Sequence, residues 1–368
     1  TRSAVFAPVN NLGLIILDRE EDSVYKQEQV PHYHAREVAF MRCELEGARF
    51  ILESVSPSLG SFYLAQNEEI NYQLIPRAKS SLEVKIIDTK RMPYSERNSK
   101  SIFSRSLSDA IAAVLNAKGK TLVFINRKGF ATYAACHNCG LALKCPSCNI
   151  SLVYHFDQNL LRCHHCSFKM EPPKICPSCN AGYIKYSGTG TDKIESEIAR
   201  IFPQARIGTD IFVSTSLILK EEEAKFDLVC VLNIDYSLNR VDYMAAEKVF
   251  YLLSGLALLT DKKIIIPTSF PEHHCFKAIF TGDPDIFYSE ELKFRKQLGF
   301  PPYKHVALVK LRGKDPVNVR KAAEDLFSNL KGGDKTVKAL SLNPGNPEKL
   351  RGNFYWQILF SASSAKSL

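Results

Sequence analysis

Residues 136–149 read CHNCGLALKCPSCN, two Cys-x-x-Cys pairs with only five residues between Cys139 and Cys145. Two further pairs follow in CHHC (Cys163, Cys166) and CPSC (Cys176, Cys179), so eight of the eleven cysteines fall within 44 residues. In a long, lysine-rich chain whose first residues show no secretory pattern, such pairs predict metal ligation rather than disulfides. The other three, Cys43, Cys230 and Cys275, are scattered and read as ordinary buried thiols.

Structural zinc takes four ligands in a tetrahedron, commonly from two facing knuckles of this type. Eight cysteines therefore predict two ions, and spacing assigns them. The five residues between Cys139 and Cys145 are too few for those neighbouring knuckles to fold back onto one ion. Fourteen residues separate Cys148 from Cys163, close to the zinc-ribbon spacing, and this stretch, NISLVYHFDQNLLR, reads as a hairpin with a DQN turn. The inner site is thus Cys145, Cys148, Cys163 and Cys166, which leaves Cys136, Cys139, Cys176 and Cys179 to the outer one. His137, His164 and His165 lie within knuckles, but eight thiolates fill two sites without them. Iron held by four cysteines is the alternative metal. Two roles fit such a module, a rigid docking surface or a staple for an insertion lacking its own core.

A chain of 368 residues, 45% hydrophobic, has room for two to three packed domains. The longest apolar run, FYLLSGLALL at residues 250–259, is about half of what a bilayer span needs, so no membrane association is expected. The opening TRSAVFAPVNNLGLIILD has no initiator Met, basic region or cleavage site, and reads like the middle of a domain. The formal charge is +9, but eight thiolates with two Zn²⁺ would bring it to about +5. Charge by itself therefore does not argue for a nucleic-acid partner.

The flanks set the fold class. SLSDAIAAVLNAKGK carries a Ser cap, apolar Ile111, Val114 and Leu115, and a Gly119 stop, which predicts an amphipathic helix. TLVFIN then reads as a buried strand. Downstream, TDKIESEIARIF places Ile194, Ile198 and Ile201 on one helical face, and FDLVCVLNID reads as another buried strand. Helices alternating with buried strands on both sides of the cysteines predict a parallel α/β domain with the module inserted. LGLIILD, residues 12–18, is expected to be a buried strand of a second such sheet.

Several longer stretches resemble one family. TRSAVFAPVNNLGLIILD followed by SVYKQEQVPHYHAREVA is similar to the motif II region of the primosomal protein N′ (PriA) replication-restart helicases. LVFINRKGFATYAACHNCG, LVYHFDQNLLRCHHC, YSGTGTDKIESEIARIFPQARI, EELKFRKQLGFPPYKHVALVKLRG and LRGNFYWQILF continue that resemblance, in family order, along essentially the whole chain. It implies two RecA-like helicase lobes of the P-loop NTPase type, the first partial. Residues 1–95 would complete lobe one and residues 96–132 with 187–285 would form lobe two. Residues 133–186 would be the inserted two-zinc module, and residues 286–368 an α+β C-terminal domain. It implies the same nested cysteine pairing.

By resemblance the activity is ATP-dependent 3′–5′ DNA unwinding with primosome assembly in the bacterial cytoplasm. The implied partners are DNA forks and single-stranded/double-stranded junctions, single-stranded-DNA-binding protein and primosome proteins. The implied cofactors are two Zn²⁺ with ATP and Mg²⁺. The phosphate-handling motifs depart from the pattern. A Walker A loop, which cradles phosphates with backbone amides and a lysine, does not occur within these residues. Motif II, Asp-Glu-Glu-His in the family, is DREED here: Asp18 keeps the metal position, Arg19 replaces the catalytic Glu, Glu20 is retained and Glu21 replaces the His. Arginine cannot take a proton from water at neutral pH; a solvated charge cluster is the plainer reading of the stretch.

Motif III resembles ESVSPS, with Ser54 and Pro57 kept. Motif V aligns with VSTSLILK, retaining Thr215 as a nucleotide-site remnant and Lys220. In motif VI the arginine fingers, which stabilise γ-phosphate charge, are replaced by Leu259 and Lys262 in GLALLTDKK. ATP hydrolysis is therefore expected to be impaired, with Asp18 and Glu20 the surviving motif II carboxylates. A non-catalytic zinc-dependent scaffold for DNA and primosome proteins is the alternative. Lys26, Arg36, Arg127 and Lys128 are the candidate DNA contacts, and Tyr25 and Tyr33 candidate stacking platforms; a surface charge or half-buried tyrosine is the plain alternative for each. GTGT at residues 188–191 lacks the Walker lysine and reads as a turn with a helix cap.

Overall fold

A computed structural model describes residues 2–27, 29–75, 82–97, 101–126, 133–136, 138–139, 141, 143–148, 151–155, 160–163, 166–182, 184–187, 191–221, 223–239, 242–331 and 337–364. The fold is mixed α/β. Its parallel strands include Ile211–Ser214 paired with Thr121–Ile125, and Lys263–Thr268 paired with Glu83–Asp88. The chain divides into two compact units: Thr1–Thr89, Glu222–Val229 and Asn233–Lys293 in the first, Lys90–Glu221, Cys230–Leu232 and Phe294–Leu368 in the second.

In the first unit, Leu14–Leu17 pairs in parallel with Arg49–Leu52, Ile15 opposite Phe50. The strand forms where LGLIILD places it, but it is not buried throughout. Leu17 is covered, whereas Leu14 and Ile16 are 45% and 55% exposed. Burial alternates with the two-residue strand period, so one face is covered and the other open. The intervening helix Ala35–Glu46 buries Ala35, Ala39 and Cys43. It starts where the Arg36 amide donates to His34 Nδ1 and stops at Gly47, whose φ of 69° suits a residue without a Cβ.

A second core in this unit gathers around the helix Ala245–Ala257, which buries Val249, Phe250, Leu253 and Leu256 along one face. Phe250 stacks on Phe287 at 4.1 Å and meets Tyr288 edge-on. Lys263–Thr268 pairs in parallel with Glu83–Asp88, its Ile264, Ile265 and Ile266 fully buried.

In the second unit the helix Arg105–Asn116 is capped by Ser104, whose Oγ accepts from the Leu107 amide at 3.3 Å. The cap lies upstream of SLSDAIAAVLNAKGK, and the left-handed residue after the helix is Lys118 (φ 55°) rather than Gly119. The helix thus begins and ends slightly earlier than the glycine suggested. Thr121–Ile125 is buried at every position and pairs in parallel with Ile211–Ser214. Ile194 and Ile198 are buried on the helix Thr191–Ile201, and Leu228–Leu232 is buried at all five positions, as their patterns indicate.

Between these elements the cysteine-bearing segment forms a five-stranded sheet in the order Lys169–Met170, Leu160–Arg162, Val153–His155, Tyr133–Cys136, Ile184–Ser187. The expected hairpin is two of these strands, with Val153 opposite Arg162 and His155 opposite Leu160. Farther on, His305–Gly313, Val337–Leu350 and Asn353–Ala362 make an antiparallel three-stranded sheet. Ala339, Ile358 and Phe360 form its core with Leu326, Phe327 and Leu330 of the helix Pro316–Lys331. Among the described residues no helix is long and apolar enough to cross a membrane.

Candidate metal centre and motif remnants

In the first and last Cys-x-x-Cys pairs, backbone amides point at the leading sulfur. Cys136 accepts from the amides of Asn138 at 3.3 Å and Cys139 at 3.5 Å, and Cys176 from that of Ser178 at 3.4 Å. The second cysteine of a pair takes the amide two residues on: Leu141 for Cys139, Phe168 for Cys166, Ala181 for Cys179. Such donors stabilise thiolate over thiol, as metal ligation requires.

The thiols meet in two groups of four. Cys136, Cys139, Cys176 and Cys179 form one and Cys145, Cys148, Cys163 and Cys166 the other, the sulfurs of each lying within 4.8 Å of one another. Sulfur pairs are 3.4 Å apart for Cys136–Cys179, 3.7 Å for Cys139–Cys176 and 3.5 Å for Cys145–Cys166. A tetrahedron with Zn–S bonds of about 2.3 Å has edges of about 3.8 Å, so these pairs are a few tenths of an ångström short of that edge and each group fits a four-thiolate ion with small adjustment. The spacing-based pairing and this grouping are the same. The sheet strands carry the geometry, since the pairing of Tyr133–Cys136 with Ile184–Ser187 brings the first and last knuckles together across some forty residues of chain.

Electrostatics within the groups are uneven. The Phe168 amide holds the Cys166 thiol down at about 7, and the Ala181 amide holds Cys179 at about 6. Burial pushes Cys145 up to about 12. Acidic and basic thiols side by side trade protons, and a divalent cation displaces them all. The inner group is the drier: Cys145, Cys148 and Cys163 are buried with Leu143, Leu152 and Leu161.

The family model described as the PriA DNA helicase Cys-rich region matches residues 145–170, the inner group and its hairpin. Replication restart protein PriA of Synechocystis is 35% identical over 98% of this chain and 48% of its own length. The proteins of that name from Bacillus subtilis and Thermotoga maritima are 32% and 33% identical, over 93% and 90% of this chain. The chain belongs to the PriA family. It spans about half the length of these curated relatives, 47% and 48% for the latter two.

The remaining PriA motif positions are engaged locally. Asp18 is exposed and its carbonyl accepts from the Tyr25 hydroxyl at 2.6 Å. Arg19 has a left-handed φ of 48°. Glu20 is 2% exposed and binds Ser58 through its amide and hydroxyl, and Arg36 Nη1 at 3.0 Å. Arg36 also donates to Ser58 and Ser61, so its guanidinium faces the protein. Glu21 accepts from Ser54 Oγ at 2.6 Å, and burial raises its carboxyl. Lys26 is exposed on a short strand paired with Tyr33–His34, and Tyr33 packs edge-on to Phe6. Thr215 begins a 3-10 turn, Leu259 is buried, and Lys262 pairs with Asp227. Arg127 and Lys128, the three histidines within the knuckles, and the glycines of GTGT lie outside the described residues.

The Glu20–Arg36–Ser58 network escapes a reading of motif II by itself, because Arg36 and Ser58 come from other segments. Glu247 escapes it too. This carboxylate is buried in the apolar helix Ala245–Ala257, and accepts from the Leu59 amide at 2.9 Å and from the Tyr251 hydroxyl. Its signal in the sequence is a lone acid on an otherwise apolar helical face.

Proposed function

We propose that this chain is the part of a PriA-type replication-restart protein running from mid-helicase core to C-terminal domain, and that it binds forked DNA while hydrolysing ATP poorly. Residues 1–95 complete a first RecA-like lobe, 96–132 and 187–285 form the second, 133–186 hold two Zn²⁺, and 286–368 form the C-terminal domain. The observation that carries the reading is the pair of four-thiol groups lying within a chain similar to PriA proteins from end to end. Family role supplies single-stranded-DNA-binding protein and primosome proteins as partners, in the bacterial cytoplasm. Lys26, Arg36, Arg127 and Lys128 are the proposed DNA contacts, Arg36 being the one whose guanidinium is already engaged by Glu20, Ser58 and Ser61.

The residues present do not fit a hydrolytic Mg²⁺–ATP site. Asp18 remains as a carboxylate for a hydrated metal, but Arg19 adjoins it where a proton acceptor is needed. Glu20 and Glu21 are engaged by Ser58, Arg36 and Ser54. At the arginine-finger positions stand a buried Leu259 and an ion-paired Lys262; a finger is worth about 10³–10⁵ in rate where measured. Thr215 is left as a motif V remnant.

Phosphate release from ATP on forked DNA, with bound zinc quantified in the same sample, tests this. Two zinc ions per chain with no DNA-stimulated hydrolysis supports the reading. Hydrolysis that tracks the protein and is lost in Asp18→Ala overturns the impaired-motor part of it.

A further inference from the structure

The inner four-cysteine group has a donor from far along the chain. Among the described residues of the other knuckles, the backbone amides aimed at sulfur come from the same turn, two or three residues away, and the Asn138 side chain reaches Cys179 from within the outer group. Cys148 Sγ accepts from the amide of Arg351, 203 residues on, at 3.5 Å. Three neighbouring contacts join it. The Gly352 amide donates to Ser147 O at 3.1 Å, Lys349 Nζ donates to Pro146 O at 3.2 Å, and the Leu350 side chain packs against the buried cluster of Cys145, Cys148, Leu152 and Leu161. One four-residue stretch thus grips the backbone, a sulfur and the apolar floor of the Cys145–Cys148 knuckle.

The stretch is the tip of the hairpin between Val337–Leu350 and Asn353–Ala362, with Leu350 opposite Asn353 and Arg351–Gly352 as its two-residue loop. Both loop residues have positive φ, 50° and 79°. That is the type I′ geometry favoured in such hairpins, where Asn-Gly is the usual pair. Arginine is a poor occupant of the first position, since a Cβ there crowds the backbone. The strained residue is also the one whose amide reaches Cys148, and strain of this kind persists where surrounding contacts over-determine it.

We propose that the Lys349–Gly352 turn is an outer-shell clamp on the inner zinc site, with Arg351 as a positioning residue, so that zinc occupancy and folding of the C-terminal sheet stabilise each other. This rests on the reading that the four thiols hold zinc. The chemistry follows from the charge: a zinc ion with four thiolates is net −2, and N–H···S donors and nearby cations lower the cost of that charge. Outer-shell partners of this sort typically change metal affinity 10–100-fold. The outer group has its donors within its own knuckles, so the clamp acts on one ion of the two.

Zinc release from the full chain to a chromogenic chelator provides the test, with Trp356 fluorescence followed in parallel. Trp356 is the single tryptophan and lies opposite Leu311 and Pro344 within the C-terminal sheet, so its emission reports that sheet. Cys145→Ser identifies which release phase belongs to the inner site. Leu350→Ala and Arg351→Val, the latter β-branched and poorly suited to positive φ, are expected to speed that phase about 10-fold or more and leave the other unchanged. Arg351→Gly keeps the amide and relieves the φ strain, and is expected to release zinc no faster than the parent. Removing zinc from the parent is expected to shift Trp356 emission, and in Leu350→Ala to shift it less.

Inner-phase release unchanged in both Leu350→Ala and Arg351→Val, with Trp356 emission native, overturns the clamp while two zinc ions per chain still stand. Equal acceleration of both phases overturns it as well, since that is global loosening. A parent chain holding no zinc removes the reading beneath it, and the clamp with it.

Discussion

Replacing Glu20 with alanine separates a structural carboxylate from a catalytic remnant. Glu20 is 2% exposed and receives the Ser58 amide, the Ser58 hydroxyl and Arg36 Nη1. Ser58 is the N-cap of the helix Leu59–Gln66, its Oγ accepting from Ser61 N at 3.2 Å, so the loss reaches that helix as well. Breaking a buried pair by deleting one partner costs about 3–5 kcal/mol, because the other charge is left without compensation. Arg36 keeps a quarter of its side chain in solvent and retains Ser58, Ser61 and Glu37, which lowers the figure. The expected net loss is about 2–4 kcal/mol, or roughly 5–15 °C in the unfolding midpoint of the unit that contains it.

Glu20→Gln keeps one acceptor and the shape, and is expected to cost about half as much. Differential scanning calorimetry and hydrogen exchange at the Leu59–Gln66 amides read both effects. A Glu20→Ala chain as stable as the parent, with those amides equally protected, would refute a structural role for this carboxylate. A carboxylate kept for metal or nucleotide behaves that way, since removing it relieves crowding with Asp18, Glu21 and Asp22.

Zinc stoichiometry tests the pairing: Cys136→Ser with Cys176→Ser should leave one zinc per chain, whereas Cys136→Ser with Cys145→Ser should leave none. Metal uptake should depend on pH in a stated direction. The Cys166 and Cys179 thiols sit at about 7 and about 6, below the usual thiol range. Their contribution is therefore complete above that range and lost as pH falls through those values. Atomic-absorption stoichiometry of metal-free chain reloaded at stepped pH should drop between about pH 7 and about pH 5. Leu161→Ala, fully buried beneath the inner group, should cost about 2–5 kcal/mol by denaturant unfolding of the zinc-loaded chain. Tyr288→Phe removes the hydroxyl that donates to Pro57 O at 2.8 Å, and should cost about 1 kcal/mol in the same assay.

The parts legible in the sequence were those fixed by local spacing. Fourteen residues between Cys148 and Cys163 dictate a hairpin, and the hairpin dictates which four thiols meet. Runs such as TLVFI and LVCVL are apolar at nearly every position because both faces are covered, and they fold as strands buried throughout. LIIL looks the same in sequence yet exposes one face, since composition reports the surroundings a strand suits rather than those it has. Motif II shows a second kind of limit. DREED reads as charges in solvent, but Glu20 is drawn inside by Arg36 and Ser58, 16 and 38 residues away. The contact of Arg351 with Cys148 lies further still from any local pattern. Only its Gly352 hints at a tight turn, and no turn names the knuckle it will touch.

The most direct test of the proposed function is fluorescence anisotropy of the zinc-loaded chain on forked DNA against blunt duplex of equal length, at near-physiological salt. Salt matters because phosphate contacts common to both DNAs weaken as counterions are added. Tighter binding to the fork is expected, lost when zinc is stripped and restored when it is returned. Equal binding to fork and duplex, or a fork preference untouched by removal of both zinc ions, would contradict the proposed function.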